Sequence, residues 1–491
     1  MAAQHNKPRP SVNQSSAPRE EALISRRRLL YGAVGVGALA AVGVGAFAYN
    51  AAQNGSSDEI PYLDAPASAL TTLNDFEALD DAAGSVQLVG DFDLPYGSLV
   101  FANDEKIAAC LLPTETGSPL AQVGLLFLGS GMLDTVLEKA MGFTESFEIY
   151  DVRANSSGMV WTEANILQGT WRIYTARIDN GTMTGTKLAA EGNDAFDTPT
   201  IAVAGKRAFW LENPKAPSES GLTARLMAVP FGSDSASVIY ESKRRMSTPP
   251  YASSDSITIA PRVDSASTYY ELTNIDADTG EVRDTLILPH AVAPIEGGYG
   301  PTGFMFSFPD IYDYKGAIAN LGTYTPFEYP AGGNYNDAKW FDFSRTPTAA
   351  PAWCDNLLIV KSTRAVCGID LESRTYFAID VENGADTYGE YLASTGTHNT
   401  FVTFTNIDHK PINDSAVHTC KVKVWAPLSP SERAAYQKAR QEDFRQARDQ
   451  RGWDHRPVRW HPLHHRQQPH RQLERRGRGG ELHCLCGKPV R

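Results

Sequence analysis

The sequence predicts an all-β fold: a β-propeller of about seven blades, with six or eight allowed. An N-terminal signal or anchor helix and a C-terminal helix with a disordered tail flank it. Three observations predict it. Between residues 85 and 428 no long amphipathic helical pattern occurs, and short β-branched and aromatic runs alternate with turn clusters. Asp179-Asn180-Gly181 and Asp278-Thr279-Gly280 lie between such runs and read as hairpin turns, since Asn and Gly tolerate positive φ. Prolines at 199, 249, 301 and 351 step by 50, 52 and 50 residues, each followed by an apolar strand. A period of about 40–50 with four strands reads as a propeller blade. One blade cannot bury both its faces, so blades stack around an axis.

The units follow in chain order. They start near 95, 151, 199, 249, 301, 351 and 394, with strands at 107–112, 159–161, 208–211, 257–259, 304–308, 357–360 and 401–404. The last unit ends near Pro427, too short for four strands. A strand at 85–89 is expected to complete it and remove the free sheet edges. The alternative is an array of two-sheet sandwiches. Residues 132–141, after Gly129-Ser130-Gly131, read as a helix.

Before the domain, Arg26, Arg27 and Arg28 precede an uncharged stretch at 29–49 that holds five glycines. Paired arginines, a long polar lead and a Gly-rich, moderately hydrophobic core resemble a twin-arginine export signal. Ala46 and Ala48 place small residues where a signal peptidase cleaves. Twenty-one uncharged residues also suffice to span a bilayer of about 30 Å, so cleavage and retention as an anchor both stand. Either places the body outside the cytoplasm, secreted or held at the membrane. The resemblance implies the twin-arginine export machinery as a partner. Residues 1–48 are thus signal or anchor, and 49–84 a polar tether leading to the propeller at 85–428.

Charge divides the chain. Residues 51–428 carry 24 Lys/Arg against 48 Asp/Glu, a net of −24, which repels phosphate and argues against nucleic acid as a partner. Residues 429–450 read as a helix with Ser431 as N-cap. Residues 451–491 hold nine Arg and six His but one Lys, and bury no core. That tail reads as an arginine-rich segment for anionic polymers, as a His/Cys metal tract ending His483-Cys484-Leu485-Cys486, or as an out-of-frame stretch of a GC-rich gene.

Tyr150-Asp151-Val152-Arg153-Ala154, Val160-Trp161-Thr162-Glu163-Ala164-Asn165, Gly169-Thr170-Trp171-Arg172, the 298–308 segment and Tyr324 to Pro326 resemble a group of exported actinobacterial proteins known by their twin-arginine signal. The resemblance implies a β-propeller and an extracytoplasmic place. It implies no activity.

Catalytic signatures are missing from the sequence. There is no Cys-x-x-Cys, no Gly-x-Ser-x-Gly and no His-Glu-x-x-His, and no phosphate-binding or dinucleotide fingerprint. No metal site and no cofactor is expected. Cys110, Cys354, Cys367 and Cys420 read as buried thiols, with a disulfide between Cys354 and Cys367 as the alternative. The segment 276–281 reads as an Asx-rich turn, with weak calcium binding as the alternative; its glycine falls one place early for an EF-hand loop. Glu163 and Glu212 each follow a tryptophan by two residues, at equivalent strand positions. They read as strand carboxylates first and as a channel pair second. Tyr299, Phe304, Phe306, Phe308, Tyr312 and Tyr314 crowd a Gly-rich stretch, and Tyr324, Phe327, Tyr329 and Tyr335 follow. Tyr299, Tyr312 and Tyr324 are the candidate ligand contacts, by stacking; blade-to-blade packing is the plainer reading. These observations favour a non-enzymatic binding or scaffolding module of the cell envelope for a peptide, protein or glycan. The alternative is an extracytoplasmic hydrolase or lyase that uses channel carboxylates on a polymer.

Overall fold

A computed structural model describes residues 60–216, 221–265, 267–312, 316–409 and 417–450. The export arginines Arg26, Arg27 and Arg28, the cleavage positions Ala46 and Ala48, Tyr314 and the tail at 451–491 lie outside the described residues. The chain forms two compact units, one reaching Tyr436 and one starting at Gln437.

The first unit is an all-β propeller. Its strands form seven hydrogen-bonded sheets. In six of them the four central strands are consecutive in sequence. The first sheet runs Leu99–Phe101, Ile107–Pro113, Ala121–Phe127, Leu133–Leu137. The second runs Glu148–Asn155, Gly158–Asn165, Thr170–Asp179, Thr182–Gly192, and the third Thr200–Ala204, Arg207–Glu212, Ala224–Pro230, Ser237–Ser242. The fourth runs Tyr251–Ala252, Ser256–Ile259, Glu271–Asp276, Val282–Ile287. The fifth runs Glu296–Gly300, Gly303–Phe308, Gly322–Pro326, Trp340–Phe343, and the sixth Ala352–Cys354, Leu357–Lys361, Val366–Asp370, Thr375–Ala378. The seventh is composite: Tyr391–Leu392, Phe401–His409 and Val417–Pro427 from the end of the domain, and Val86–Pro95 from its beginning. Val86 pairs with Pro427 and Pro95 with Thr419. The early strand thus supplies the outer strand of the last sheet and closes the ring.

The packing explains the sequence pattern. Each sheet lies between two others, so its second strand is buried on both faces. Gly158–Asn165, Gly303–Phe308 and Leu357–Lys361 are buried at every position and show no alternation. One core joins Leu111 and Val123 of the first sheet to Val152 and Trp161 of the second. Another joins Val422 and Phe404 of the seventh to Cys110 and Leu112 of the first. The fourth and fifth sheets meet through Leu272, Leu286, Phe304, Phe306 and Trp340.

Several expectations are corrected. Residues 132–141 are not a helix; Leu133–Leu137 is the edge strand of the first sheet. Pro301 opens no unit. It sits in the turn between Glu296–Gly300 and Gly303–Phe308, and the fifth sheet begins five residues earlier. Residues 60–84 are not a free tether. Leu63 and Ala65 are buried in the core between the fourth and fifth sheets. Leu70–Thr72 pairs in parallel with Trp340–Phe343, and Glu77–Ala78 with Thr375–Ala378, covering two outer edges. The helix is Pro430–Gln450. Its cap lies at Ser429 rather than Ser431: Ser429 N donates to Glu432 Oε2 at 2.8 Å and Glu432 N to Ser429 Oγ at 3.3 Å.

The hairpin signals are realised. Asn180 and Gly181 have φ of 52° and 82° between Thr170–Asp179 and Thr182–Gly192, a two-residue primed turn. In the other, Asp276 Oδ1 accepts from Asp278 N at 2.9 Å and Thr279 N at 2.7 Å. Those turn amides and Arg283 hold the Asp276 carboxyl down to about 2. Its oxygens serve the turn.

Candidate functional site

Strand direction sorts the loops. Connections from first to second and from third to fourth strands share one face of the ring, and all others share the opposite face. From the first sheet to the fifth, the first strands of neighbouring sheets touch in turn around the axis. On the hairpin face the axis is crossed by the chain itself. Gly396–His398 pairs in parallel with Ala352–Cys354 of the sixth sheet. Thr395 N donates to Ala102 O of the first sheet at 3.2 Å. Gly396 N donates at 2.8 Å to the Tyr251 hydroxyl of the fourth sheet, which donates at 2.7 Å to Pro351 O. A segment that meets the first, fourth and sixth sheets crosses the centre. Tyr251 and this short strand therefore occupy the axis at that level.

The aromatic residues converge beside it. Tyr299 ends the first strand of the fifth sheet, and Tyr329 and Tyr335 lie on the connection at 327–339. Pro330 and the positive φ of Gly332 (65°) and Gly333 (71°) fold that connection back. Phe327 N donates to Lys339 O at 2.9 Å to close it, and Trp340 Nε1 donates to Tyr335 O at 3.2 Å. All three hydroxyls donate to one oxygen, Oδ2 of Asp284 on Val282–Ile287: Tyr335 at 2.7 Å, Tyr299 at 3.0 Å and Tyr329 at 3.2 Å. Thr285 N donates to Oδ1 at 2.8 Å. The rings pack edge to face, Tyr299 on Phe304 at 5.0 Å and Tyr329 on Tyr335 at 6.4 Å.

Exposure is graded across the cluster. Tyr335 is 4% exposed and Tyr329 48%. Burial, then the Asp284 charge, pushes all three phenols above the ordinary tyrosine range. They stay protonated donors, and Asp284 Oδ2 has its lone pairs engaged by them. That carboxylate oxygen holds the three hydroxyls in place as their shared acceptor. The arrangement offers a rigid aromatic face with Tyr329 at its open edge.

The other tyrosine candidates serve the core. Tyr324 is fully buried. Its hydroxyl donates to Asn320 O at 2.9 Å and accepts from Asn320 N at 3.2 Å, so the expectation of ligand contact is withdrawn for it. Tyr312 donates to Ala293 O at 3.0 Å and packs edge-on against Phe308. Tyr299 alone of the three candidates joins the cluster. Asp284 carried no sequence signal: it lies on the outer strand of another sheet, and no motif pairs it with Tyr299.

Glu163 and Glu212 share one structural device. Trp161 Nε1 donates to Glu163 Oε1 at 3.1 Å and Trp210 Nε1 to Glu212 Oε1 at 3.0 Å. Glu163 is fully buried and also accepts from Met141 N at 2.6 Å and Gly142 N at 2.9 Å. Both lie on second strands, with a first strand between them and the axis. Cys110, Cys354 and Cys367 are buried free thiols, and Cys420 is buried as well. Burial pushes Cys110 and Cys354 up to about 12, far from thiolate reactivity. Among the described residues no group of three His, Cys, Asp or Glu side chains could hold a metal ion. None of the described helices is long and apolar enough to cross a membrane.

No protein-family profile matches the chain, and no curated protein does. Solved structures do. An oligogalacturonate lyase from Vibrio parahaemolyticus matches over 71% of this chain and 99% of its own, at 8% identity and a TM-score of 0.41. A post-proline cleaving enzyme from Rickettsia typhi matches over 64% and 50%, at 10% identity and 0.42. Oligopeptidase B from Leishmania major matches over 71% and 48%, at 11% and 0.41. The chain thus spans about half the length of the last two. These likenesses go no further than fold and carry no argument about activity.

Proposed function

We propose that this chain is an exported propeller of the cell envelope that binds a peptide, protein or glycan without covalent chemistry. The observation that carries the reading is the convergence of Tyr299, Tyr329 and Tyr335 on Asp284 Oδ2. A phenol held at its hydroxyl loses little rotamer freedom when a ligand stacks on its ring. Tyr329, half open to solvent, presents that ring. Export rests on Arg26, Arg27 and Arg28, with cleavage at Ala46 and Ala48 or retention as an anchor.

The experiment has two arms. The intact protein is applied to glycan and peptide arrays, and its producing cells are fractionated. The reading expects a ligand recovered at unchanged mass and protein outside the cytoplasm. A ligand returned cleaved would install the hydrolase or lyase alternative instead. Protein retained in the cytoplasm with an intact Arg26-Arg27 pair would remove the export half.

A further inference from the structure

The opposite face of the ring holds a buried cation with an unused edge. Arg345 follows the last strand of the fifth sheet and is 7% exposed. Its Nη1 donates to Thr346 O at 2.9 Å. Its Nε and Nη2 are buried and have no hydrogen-bond partner among the described residues. These two nitrogens form one side of the guanidinium. Their N–H bonds point the same way, at the spacing of the two oxygens of a carboxylate. A buried donor left unmade is costly, and a buried cation more so. Two adjacent unmet donors on a single cation match the two oxygens of a carboxylate.

A second cation lies within charge range. Lys361 ends the second strand of the sixth sheet and is 3% exposed. Its ammonium donates to Tyr388 O at 2.8 Å and Thr363 O at 3.2 Å, which leaves it a further N–H. Burial, reinforced by the Arg345 charge, lowers Lys361 to about 8. An anion between the two would relieve that repulsion. The nearby acids are otherwise engaged. Glu296 takes the Ser307 hydroxyl at 2.7 Å, and burial pushes it up to about 7 despite Arg345. Glu390, fully buried, takes the Thr403 hydroxyl at 2.6 Å. Glu296 opens the first strand of the fifth sheet and Glu390 immediately precedes that of the seventh. The group therefore sits where the axis-lining strands of the fifth and seventh sheets begin, on the face opposite the hairpins.

We infer that the Nε–Nη2 edge of Arg345, with Lys361 in support, binds one carboxylate group of a ligand that enters the mouth of the axis. A single negative charge suits the place. A domain carrying 48 acids against 24 bases opposes a dianionic phosphate. The site is separate from the tyrosine cluster and stands whether or not that cluster binds anything.

The test is thermal unfolding of the full chain at constant ionic strength with four small probes and phosphate. Glucuronate represents an acidic sugar and N-acetylglycine a peptide terminus; glucose and N-acetylglycinamide are their uncharged counterparts. A ligand that binds only the folded state raises the midpoint with the logarithm of one plus its concentration over Kd. One or both carboxylates should raise it along that logarithmic curve while the uncharged counterparts do not, and which one does so identifies the source. Arg345→Lys keeps the charge but loses the fork, and should weaken the response about tenfold or more. The inference is overturned if neither carboxylate shifts the midpoint, if an uncharged counterpart or phosphate shifts it equally, or if folded Arg345→Lys responds like the wild type. Should Arg345→Lys not fold, the wild-type probes decide the matter by themselves.

Discussion

Replacing Asp284 by alanine removes the acceptor shared by three phenols, and the structure ranks the consequences. Tyr335 is 4% exposed, so its hydroxyl, which now donates at 2.7 Å, would be left dry and unsatisfied. A buried donor without a partner costs about 1–3 kcal/mol. Tyr299 is half-buried and rehydrates in part, at about 0.5–1 kcal/mol. Tyr329 is 48% exposed, so water replaces the lost bond at almost no cost. Asp284→Ala should therefore lose about 2–4 kcal/mol, read as a lowered midpoint in urea at unchanged slope. Tyr329→Phe should lose less than about 0.5 kcal/mol, and Tyr335→Phe combined with Asp284→Ala should lose less than Asp284→Ala alone. That non-additivity is the signature of a shared acceptor. Equal losses for Tyr329→Phe and Tyr335→Phe, or an unchanged midpoint for Asp284→Ala, would refute the graded burial on which the site rests.

Other outcomes follow from the same geometry. Glu163→Ala strands the buried Trp161 indole and two amides and should lower the urea midpoint by about 3–5 kcal/mol equivalent. At the equivalent but half-buried Glu212 the same change should cost about 1 kcal/mol. Burial raises Glu296 to about 7, so the folded state holds its proton more tightly than the unfolded chain. Its contribution is complete below the unfolded carboxyl range and is lost as pH climbs toward about 7. Glu296→Gln should flatten that fall in melting temperature. Gly396 has φ of +84°, and a Cβ there would meet Ala252 O at 3.0 Å. Gly396→Ala should lower the melting temperature through the axis-crossing strand, by about 1–3 kcal/mol. Arg26→Lys with Arg27→Lys should leave uncleaved protein in the cytoplasm, as cell fractionation would show.

Local signals were legible where chemistry and structure coincide within a few residues. Asn180-Gly181 announced its hairpin because that turn needs two positive φ values. The buried second strands stood out as β-branched and aromatic runs. The closing strand could be placed by counting, since a truncated last sheet needs a fourth member. Non-local effects were not legible. Residues 132–141 carry good helix formers, yet Leu133–Leu137 is drawn into an edge strand by Ala121–Phe127 beside it. The polar stretch at 60–84 hides its role, because covering a sheet edge needs backbone groups rather than apolar side chains. Gly396–His398 is too short to carry a period. Arg345 and Asp284 matter through partners on other sheets, or through the lack of them, and neither leaves a trace in the local sequence.

The proposed function is recognition at the tyrosine face without covalent chemistry. The measurement that tests it most directly is the affinity of one array-selected ligand for the wild type, Tyr329→Phe and Tyr329→Ala, with the mass of the ligand taken afterwards. Binding should stay within about threefold in Tyr329→Phe, which preserves the ring, and weaken about tenfold or more in Tyr329→Ala, which removes it. The ligand mass should be unchanged throughout. Equal affinity in all three proteins, or a ligand of lower mass, would contradict it.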